Sequence, residues 1–533
     1  MSMVDKATSK RLLSVHGWSG VILGLFLYVV VITGTVAVLA HEIGSWSVSR
    51  TNDAAFSQPL DSRVKALAAE VDPKFREDLA IYPNAAGSMA VFFHTHGTNA
   101  AGEPDDLGVR FLLEPGTLRV LQRDEGYGTE MPGDRQGALE DFISTLHISL
   151  HAPNPIGLYL TGIAGFVMLF AVVSGLILHR HLIKDLFVAP RRSSRLLNHR
   201  DRHILAGSWT LPFGFLLAFT GTFFSFAGAI GLPIVAMVAF GGDQVKMIET
   251  LVGAPPPTSS AAAPMASLDT ILADSRARFG TDPDFINVAH WGKSDAVAQV
   301  THGPIGSSIK PTNLIYDLST GAFVKEKPDI GTRPSLGSAV FAWMGPLHFG
   351  HFAGLLSKAI WIALGLATCY VSLTGLRLWV ERRSGSSTWR WLRDVISLVA
   401  YGVPVALVGS AAGFLLTYPL GDTVSATARG FVSGLVIAMI VGAVQLWCNR
   451  AGLDMALKLL LGLGLASLPL LRIGLGGVGW AGLLGTGVAI PLVIDLAMLT
   501  AGGLFLVQLV IGTRSYLMGE LNTETDAELE AAE

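Results

Sequence analysis

The chain has 533 residues, half of them hydrophobic and only 15% charged, with a formal net charge of −3 and a mean hydropathy of +0.50. That balance, spread over several long apolar runs, places it among polytopic α-helical membrane proteins, and with no basic face or arm nucleic acid is excluded as a partner. The two cysteines, Cys369 and Cys448, lie inside apolar stretches and exclude a disulfide framework or a cysteine-based metal or iron–sulfur site.

Lys6, Lys10 and Arg11 precede an apolar run at 15–40. The run is too long for a cleaved signal and no small-residue cleavage pattern closes it, so residues 1–41 read as a retained first span. A polar segment at 42–145 follows. It carries a helix-like stretch at 62–71 and a strand-turn-strand pattern at 110–121, with Glu114-Pro115-Gly116 between alternating apolar residues. The second span runs as one helix from His147 to His179. A basic connection (Arg180, Lys184, Arg191, Arg192, Arg195, Arg200, Arg202) leads to a third span at 203–226, whose apolar character extends to 240. The polar segment at 241–345 repeats the earlier plan, with a helix-like stretch at 268–278 and a strand-turn-strand pattern at 313–324. The fourth span occupies 346–383. Four further candidates at 395–420, 430–447, 453–471 and 483–511 fill 394–514, before a tail at 515–533. Lysine and arginine cluster before the first span, between the second and third, after the fourth, and at Arg450 and Arg514. The positive-inside rule turns all of these to the cytoplasm. Eight spans with both termini cytoplasmic satisfy every cluster, and the two polar segments then face the periplasm of a bacterial inner membrane.

The two halves repeat. His16-Gly17-Trp18-Ser19-Gly20 opens the first span and His203-Ile204-Leu205-Ala206-Gly207 the third. Thr33-Gly34-Thr35 and Thr220-Gly221-Thr222 follow at matching distances. The second span closes on Ser174-Gly175-Leu176 and the fourth on Thr374-Gly375-Leu376, with His151 and His351 each 24 positions before the glycine. The pattern is an internal duplication of span, outer segment, span.

Histidines gather at both ends of the repeated spans: His16 and His203 inside, His147, His151, His348 and His351 outside, and His179 with His181 closing the second span. Paired histidines on facing helices are what a bis-imidazole b-type haem requires, one nitrogen from each side of the iron. Gly17, Gly20, Gly24, Gly162 and Gly165 leave room for close helices or a flat macrocycle. A two-fold axis between the halves pairs His16 with His203. Outside, it pairs one of His147 or His151 with one of His348 or His351, and the ungapped repeat register favours His151 with His351. Trp379 stands where His179 would have its counterpart, so His179 suits an interface or propionate role better than ligation. Two other readings stand beside haem: histidines that merely line the membrane interface, and a non-haem metal pathway. The second would add carboxylates within the spans, where Asp495 is the clear case and has no evident metal-ligand partner. Because His147 and His179 are 32 positions apart, one helix joining them is about 48 Å long, which strains direct transfer between the two levels.

At these residues the chain resembles the PepSY-associated transmembrane helix family, which includes bacterial ferric-siderophore reductases and iron-regulated inner-membrane proteins. The resemblance covers about 10–385. It rests on Arg11-Leu12-Leu13-Ser14-Val15-His16-Gly17-Trp18, Leu146-His147, Ser174-Gly175-Leu176, His179-Arg180-His181-Leu182-Ile183-Lys184-Asp185-Leu186-Phe187, His203 to Gly207 with Trp209-Thr210-Leu211-Pro212-Phe213, and Leu347-His348-Phe349-Gly350. It implies two small α+β PepSY-like periplasmic domains, a duplicated four-helix core with haem b, two groups in all, and electron transfer to ferric siderophore iron. The family motif centres the outer ligands on His147 and His348. The four C-terminal spans lie outside it.

Gly474-Leu475-Gly476-Gly477-Val478-Gly479 matches G-x-G-x-x-G but sits between apolar helices, not in a βαβ unit, and is rejected as a nucleotide site. With no flavin or nicotinamide motif, the electron donor is a cytoplasmic reductase or a membrane quinol. His94-Thr95-His96 follows Val91-Phe92-Phe93; on a strand the two histidines share a face and could touch a metal or substrate. The expectation is an oxidoreductase, with two alternatives: a haem-free scaffold or transporter subunit whose outer domains bind peptide or a partner, and a haem b protein with a different periplasmic acceptor.

Overall fold

The computed structural model of the chain describes residues 5–49, 56–100, 102, 104–179, 182, 186–191, 194–252, 261–303, 312–328, 335–383, 385–485 and 490–530. Among the described residues eight helices are long and apolar enough to cross a membrane, so the chain is a multi-pass α-helical membrane protein. His181 lies outside the described residues. The chain divides into two compact units, Met1–Gly44 with Asn52–Gly375, and Ser45–Thr51 with Leu376–Glu533.

The first half runs α1 (Lys6–Ala37), α2 (Ala40–Ser47), α3 (Asp61–Glu70), β1 (Asp78–Pro83), β2 (Met89–Thr98), β3 (Pro104–Leu113), β4 (Val120–Tyr127), α4 (Ala138–Ser149) and α5 (Ile156–Leu178). The second runs α6 (Arg195–Phe226), α7 (Leu232–Phe240), α8 (Gln244–Val252), α9 (Leu268–Phe279), β5 (Phe285–Ala289), β6 (Val297–His302), β7 (Thr312–Asp317), β8 (Phe323–Lys327), α10 (Leu336–Phe349) and α11 (Gly354–Glu381). Asp5 starts α1 by accepting the Ala7 and Thr8 N–H groups, which the first turn leaves without helical partners.

One expectation fails at a point that matters for the site. The sequence suggested an unbroken helix over 147–179. Instead α4 stops where Leu150 and His151 both take positive φ (55° and 54°), and α5 begins only after Pro153 and Pro155. Proline supplies no N–H to continue a helix and disfavours helical backbone before it. In the other half α10 closes at Gly350 (φ 73°), whose N–H bonds the Pro346 carbonyl, before α11 begins. His147 and His348 therefore sit near the ends of short helices that precede the spans. His147 and His151, and likewise His348 and His351, are separated by these breaks and do not lie on one helix, and the 48 Å helix does not form.

The polar segments also differ from expectation. The two polar segments build one antiparallel eight-stranded sheet in the order β4-β3-β2-β1-β5-β6-β7-β8. The joint is β1 against β5, with Leu79 opposite Val288 and Ile81 opposite Ile286. Helices α3 and α9 share its core: Leu67, Phe93 and Phe111 belong to the same buried cluster as Leu272, Val300 and Tyr316. Strand β1 is apolar along most of its length, and such a strand left at an edge would invite pairing with another chain. Pairing it with its own repeat removes that edge.

The second unit holds α12 (Ser387–Thr417), α13 (Thr423–Cys448), α14 (Leu453–Gly474), α15 (Trp480–Gly485) and α16 (Ile490–Glu530). Gly409 and Gly413 on α12 face Gly430 and Gly434 on α13, so the two backbones touch; a Cβ on Gly434 would lie 2.7 Å from the Val405 carbonyl oxygen. Asp495, for which the sequence showed no metal-ligand partner, is fully buried with Arg472. The guanidinium Nη2 lies 2.6 Å from Asp495 Oδ2, and Trp46 and Trp480 donate indole N–H groups to the carboxylate at 2.7 and 3.0 Å. The cluster is an ion pair in which both carboxylate oxygens accept and the guanidinium is bonded through Nε, Nη1 and Nη2.

Candidate cofactor site: two imidazole pairs

The helices bring four of the seven candidate histidines together, two by two. The rings of His16 (α1) and His203 (α6) stand 6.4 Å apart between centroids, inclined at 67°. Those of His147 (α4) and His348 (α10) stand 6.3 Å apart at 22°. Each pair takes one ring from each half of the duplication.

Each ring is held through Nδ1 by a neighbouring helix. His16 Nδ1 lies 2.8 Å from Ser174 Oγ on α5; with the Ser174 proton on the Ala171 carbonyl at 3.1 Å, the imidazole donates to Oγ. His348 Nδ1 lies 2.7 Å from Thr220 Oγ1 on α6, whose proton goes to the Leu216 carbonyl at 2.7 Å. His203 and His147 donate to carbonyls instead, Val371 on α11 at 3.0 Å and Val30 on α1 at 3.2 Å. The Thr374 and Thr33 hydroxyls donate to those same two carbonyls, each at 3.0 Å. The carbonyls fix His203 and His147 as the Nδ1–H tautomer, and the hydroxyls accept the same form of His16 and His348, which leaves the Nε2 lone pair for a metal. Among the described residues, the hydrogen bonds made by these four rings all run through Nδ1.

The residue after each hydroxyl is glycine, and it lies against the imidazole. A Cβ built there would meet Cε1 of His147 at 2.6 Å (Gly34), of His203 at 3.0 Å (Gly375), of His348 at 3.3 Å (Gly221) and of His16 at 3.8 Å (Gly175). A Ser/Thr-Gly step is therefore the seat of every paired histidine. The sequence displayed all four steps, but as markers of the repeat and not as part of the site. Conversely, the glycines singled out on the second span serve helix packing: Gly162 lies against Phe226 and Ser225, and Gly165 against Thr222 and Ala218.

The other three candidates are used differently. His151 stacks on Phe142 at 4.3 Å, and its Nε2 donates to the Phe142 carbonyl at 3.0 Å. His351 stacks on Phe349 at 5.6 Å. The ungapped register that favoured His151 with His351 is overridden, because the repeat slips by one position around the helix breaks. The loop at 150–155 is longer than that at 350–353. His179 caps the end of α5, and its Nε2 lies 3.2 Å from Ser208 Oγ. Beside the His147–His348 pair, Phe224 and Phe349 stand edge-on to His348, and Trp361 donates to the Leu347 carbonyl at 2.9 Å while packing on Phe213.

The family signature described as the PepSY-associated TM region matches residues 13–382, a stretch that contains all four paired histidines and the whole sheet. An uncharacterised protein of Pseudomonas aeruginosa is 30% identical over 300 residues, covering 53% of this chain and 73% of that protein.

Proposed function

The chain belongs to the PepSY-associated transmembrane family, and from that premise and the two imidazole pairs we propose that it is a haem b electron-transfer protein. It reduces ferric siderophore iron at the periplasmic face of the bacterial inner membrane. The observation that carries the reading is the pair geometry. Two imidazoles sharing one iron need about 2 Å from nitrogen to metal and about 1.2 Å from nitrogen to ring centre on each side, which sets their centroids about 6.4 Å apart. The two pairs stand at 6.4 and 6.3 Å, with tautomers that leave Nε2 to ligate.

His16 and His203 would hold one haem and His147 and His348 the other. Bound haem b supplies reversible one-electron storage. The protein's own contribution is the Nδ1–H bond at each seat, which fixes ring orientation and makes Nε2 more basic. The two levels are set along α1, where His16 and the Val30–Gly34 seat of His147 are about 21–27 Å apart at 1.5 Å per residue. That span suits sites near opposite faces of a hydrocarbon core of roughly 30 Å. The His16 level lies towards the cytoplasm, where a reductase or quinol gives up the electron. The His147 level lies beneath the outer sheet, where Fe(III) takes it up as Fe(II) and its hard oxygen ligands loosen.

The test is a reduced-minus-oxidised spectrum of the detergent-purified chain with pyridine haemochrome quantitation. Two b-type haems per chain are expected, and His16→Ala and His348→Ala should each lose one. Absence of haem after expression with haem supplied would overturn the reading in favour of a scaffold or transporter subunit.

A further inference from the structure

We infer that the outer sheet carries a binding site for one divalent transition-metal ion, built from Asp78, His94 and His96 and completed by Asp106. The site goes beyond the haem reading and stands independently of it. His94 and His96 lie two apart on β2 and so share one face of the sheet. The pairing register sets Asp78 on β1 directly opposite His94, and Asp106 on β3 directly opposite His96. Four polar side chains from three adjacent strands thereby converge. Asp78, His94 and His96 each offer a ligand atom within 4.8 Å of the others. Ligands about 2.1 Å from a tetrahedral metal stand about 3.4 Å apart, so small side-chain adjustments would close the set.

The supporting groups fit ligation. His96 Nε2 already lies 3.2 Å from Asp78 Oδ2, while its Nδ1 lies 2.7 Å from Asp106 Oδ1. That is the carboxylate–histidine–metal arrangement in which an outer carboxylate orients the ring for its ligand nitrogen. Asp78 is anchored through its other oxygen by the backbone N–H of His290 at 3.0 Å. His94 points to a ligand independently. Only 6% of it is exposed, and its buried Nδ1 makes no hydrogen bond of good geometry: its nearest acceptor is Asp106 Oδ1 at 3.5 Å, an oxygen that His96 Nδ1 already holds at 2.7 Å. A buried imidazole nitrogen left unsatisfied is costly unless something else uses it. Phe92 stacks on the ring at 4.7 Å and holds it in place, and the facing position on β3 is Gly108, which puts no side chain over it. His96 and Asp106 are solvent-accessible, so an ion can enter. Two imidazoles with a carboxylate suit borderline divalent ions such as Zn(II) or Fe(II). All-oxygen ions and Cu(I), which prefers sulfur, fit the set poorly.

The test is equilibrium dialysis of the full-length, detergent-purified protein against micromolar zinc, with zinc and haem both counted per chain. One zinc per chain is expected. His94→Ala and His96→Ala should each lose it while keeping their haem and their melting temperature in chelator. Asp106→Asn should weaken binding by about 10- to 100-fold. Zinc should also raise the melting temperature of the parent protein but not that of the alanine variants. The inference is overturned if no zinc is retained, or if it is retained equally by both alanine variants, in which case His96 is simply an ion-paired residue between two carboxylates. An anaerobic Fe(II) arm, read by competition with zinc, then identifies which ion the site prefers.

Discussion

Replacing Gly34 with alanine tests the seat geometry directly. The added methyl would lie 2.6 Å from Cε1, 2.9 Å from Nδ1 and 3.1 Å from Nε2 of His147. Carbon atoms pack comfortably only from about 3.5 Å, so the ring must retreat by roughly 0.9 Å or swing off its bond to the Val30 carbonyl. Overpacking of this kind costs about 1–3 kcal/mol. That corresponds to an approximately 5- to 150-fold weaker hold on any group His147 shares with His348. Helix α1 itself is not weakened, because alanine is a better helix former than glycine by about 1 kcal/mol. The control is Gly175→Ala, whose methyl would meet His16 at an ordinary 3.8 Å. Haem per chain, counted after size-exclusion chromatography, should fall towards one in Gly34→Ala and stay at two in Gly175→Ala. Gly375→Ala and Gly221→Ala, at 3.0 and 3.3 Å, should lie between. Equal haem content in Gly34→Ala and Gly175→Ala would refute the idea that these glycines seat the histidines.

Thr220→Val removes the acceptor of His348 Nδ1–H, and Ser174→Ala removes that of His16. Each should weaken retention of one haem by about 10- to 100-fold and raise one of two midpoint potentials in a redox titration, because a less basic imidazole stabilises the ferric state less. Asp495→Ala should lower the melting temperature in detergent by the equivalent of about 3–5 kcal/mol, because it strands Arg472 as a buried unpaired charge. Replacing both residues by apolar ones should recover most of that loss, and haem content should not change in either variant.

Much of the architecture was legible because membrane spans and repeats leave long signals. Eight apolar runs, the two hairpins and helices α3 and α9 all follow from periodicity and turn residues. Helices α3 and α9 match to within one position, whereas several spans begin up to nine residues from where the apolar runs start, because polar turns such as 6–14, 195–202, 387–394 and 423–429 extend the helices beyond the apolar stretch. The misreadings share one cause: short breakers inside strong apolar patterns. Pro153 and Pro155 were outweighed by the apolar run after them, so α4 and α5 were fused and His147 was assigned to the wrong helix. Gly350 was passed over for the same reason. The merging of two outer domains into one sheet could not be read at all, because edge pairing between β1 and β5 depends on long-range placement. The Ser/Thr-Gly seats were visible as letters, but only the fold shows that a histidine from the neighbouring helix lies on each.

The duplication makes one last prediction, because a single two-fold relation organises both the sheet and the histidines. Strand β1 meets its own repeat β5, His16 meets His203, and His147 meets His348. Neither half can complete either imidazole pair alone, so something must hold the halves in register. At the outer level the β1–β5 joint can do this. Helix α4 follows β4 and α10 follows β8, so the arms that carry His147 and His348 leave the sheet from opposite ends of one continuous ladder. Opening the joint should therefore spread the outer pair before the inner one, which is fixed by α1, α5, α6 and α11. A proline at Ile286, in the middle of β5, removes a ladder donor from a central strand, where proline is not tolerated. The variant should lose the haem signal that His348→Ala loses and keep the one that His16→Ala loses. Loss of the His16 signal first, or of both together at the same denaturant concentration, would mean that the membrane helices alone set the register and the sheet follows them.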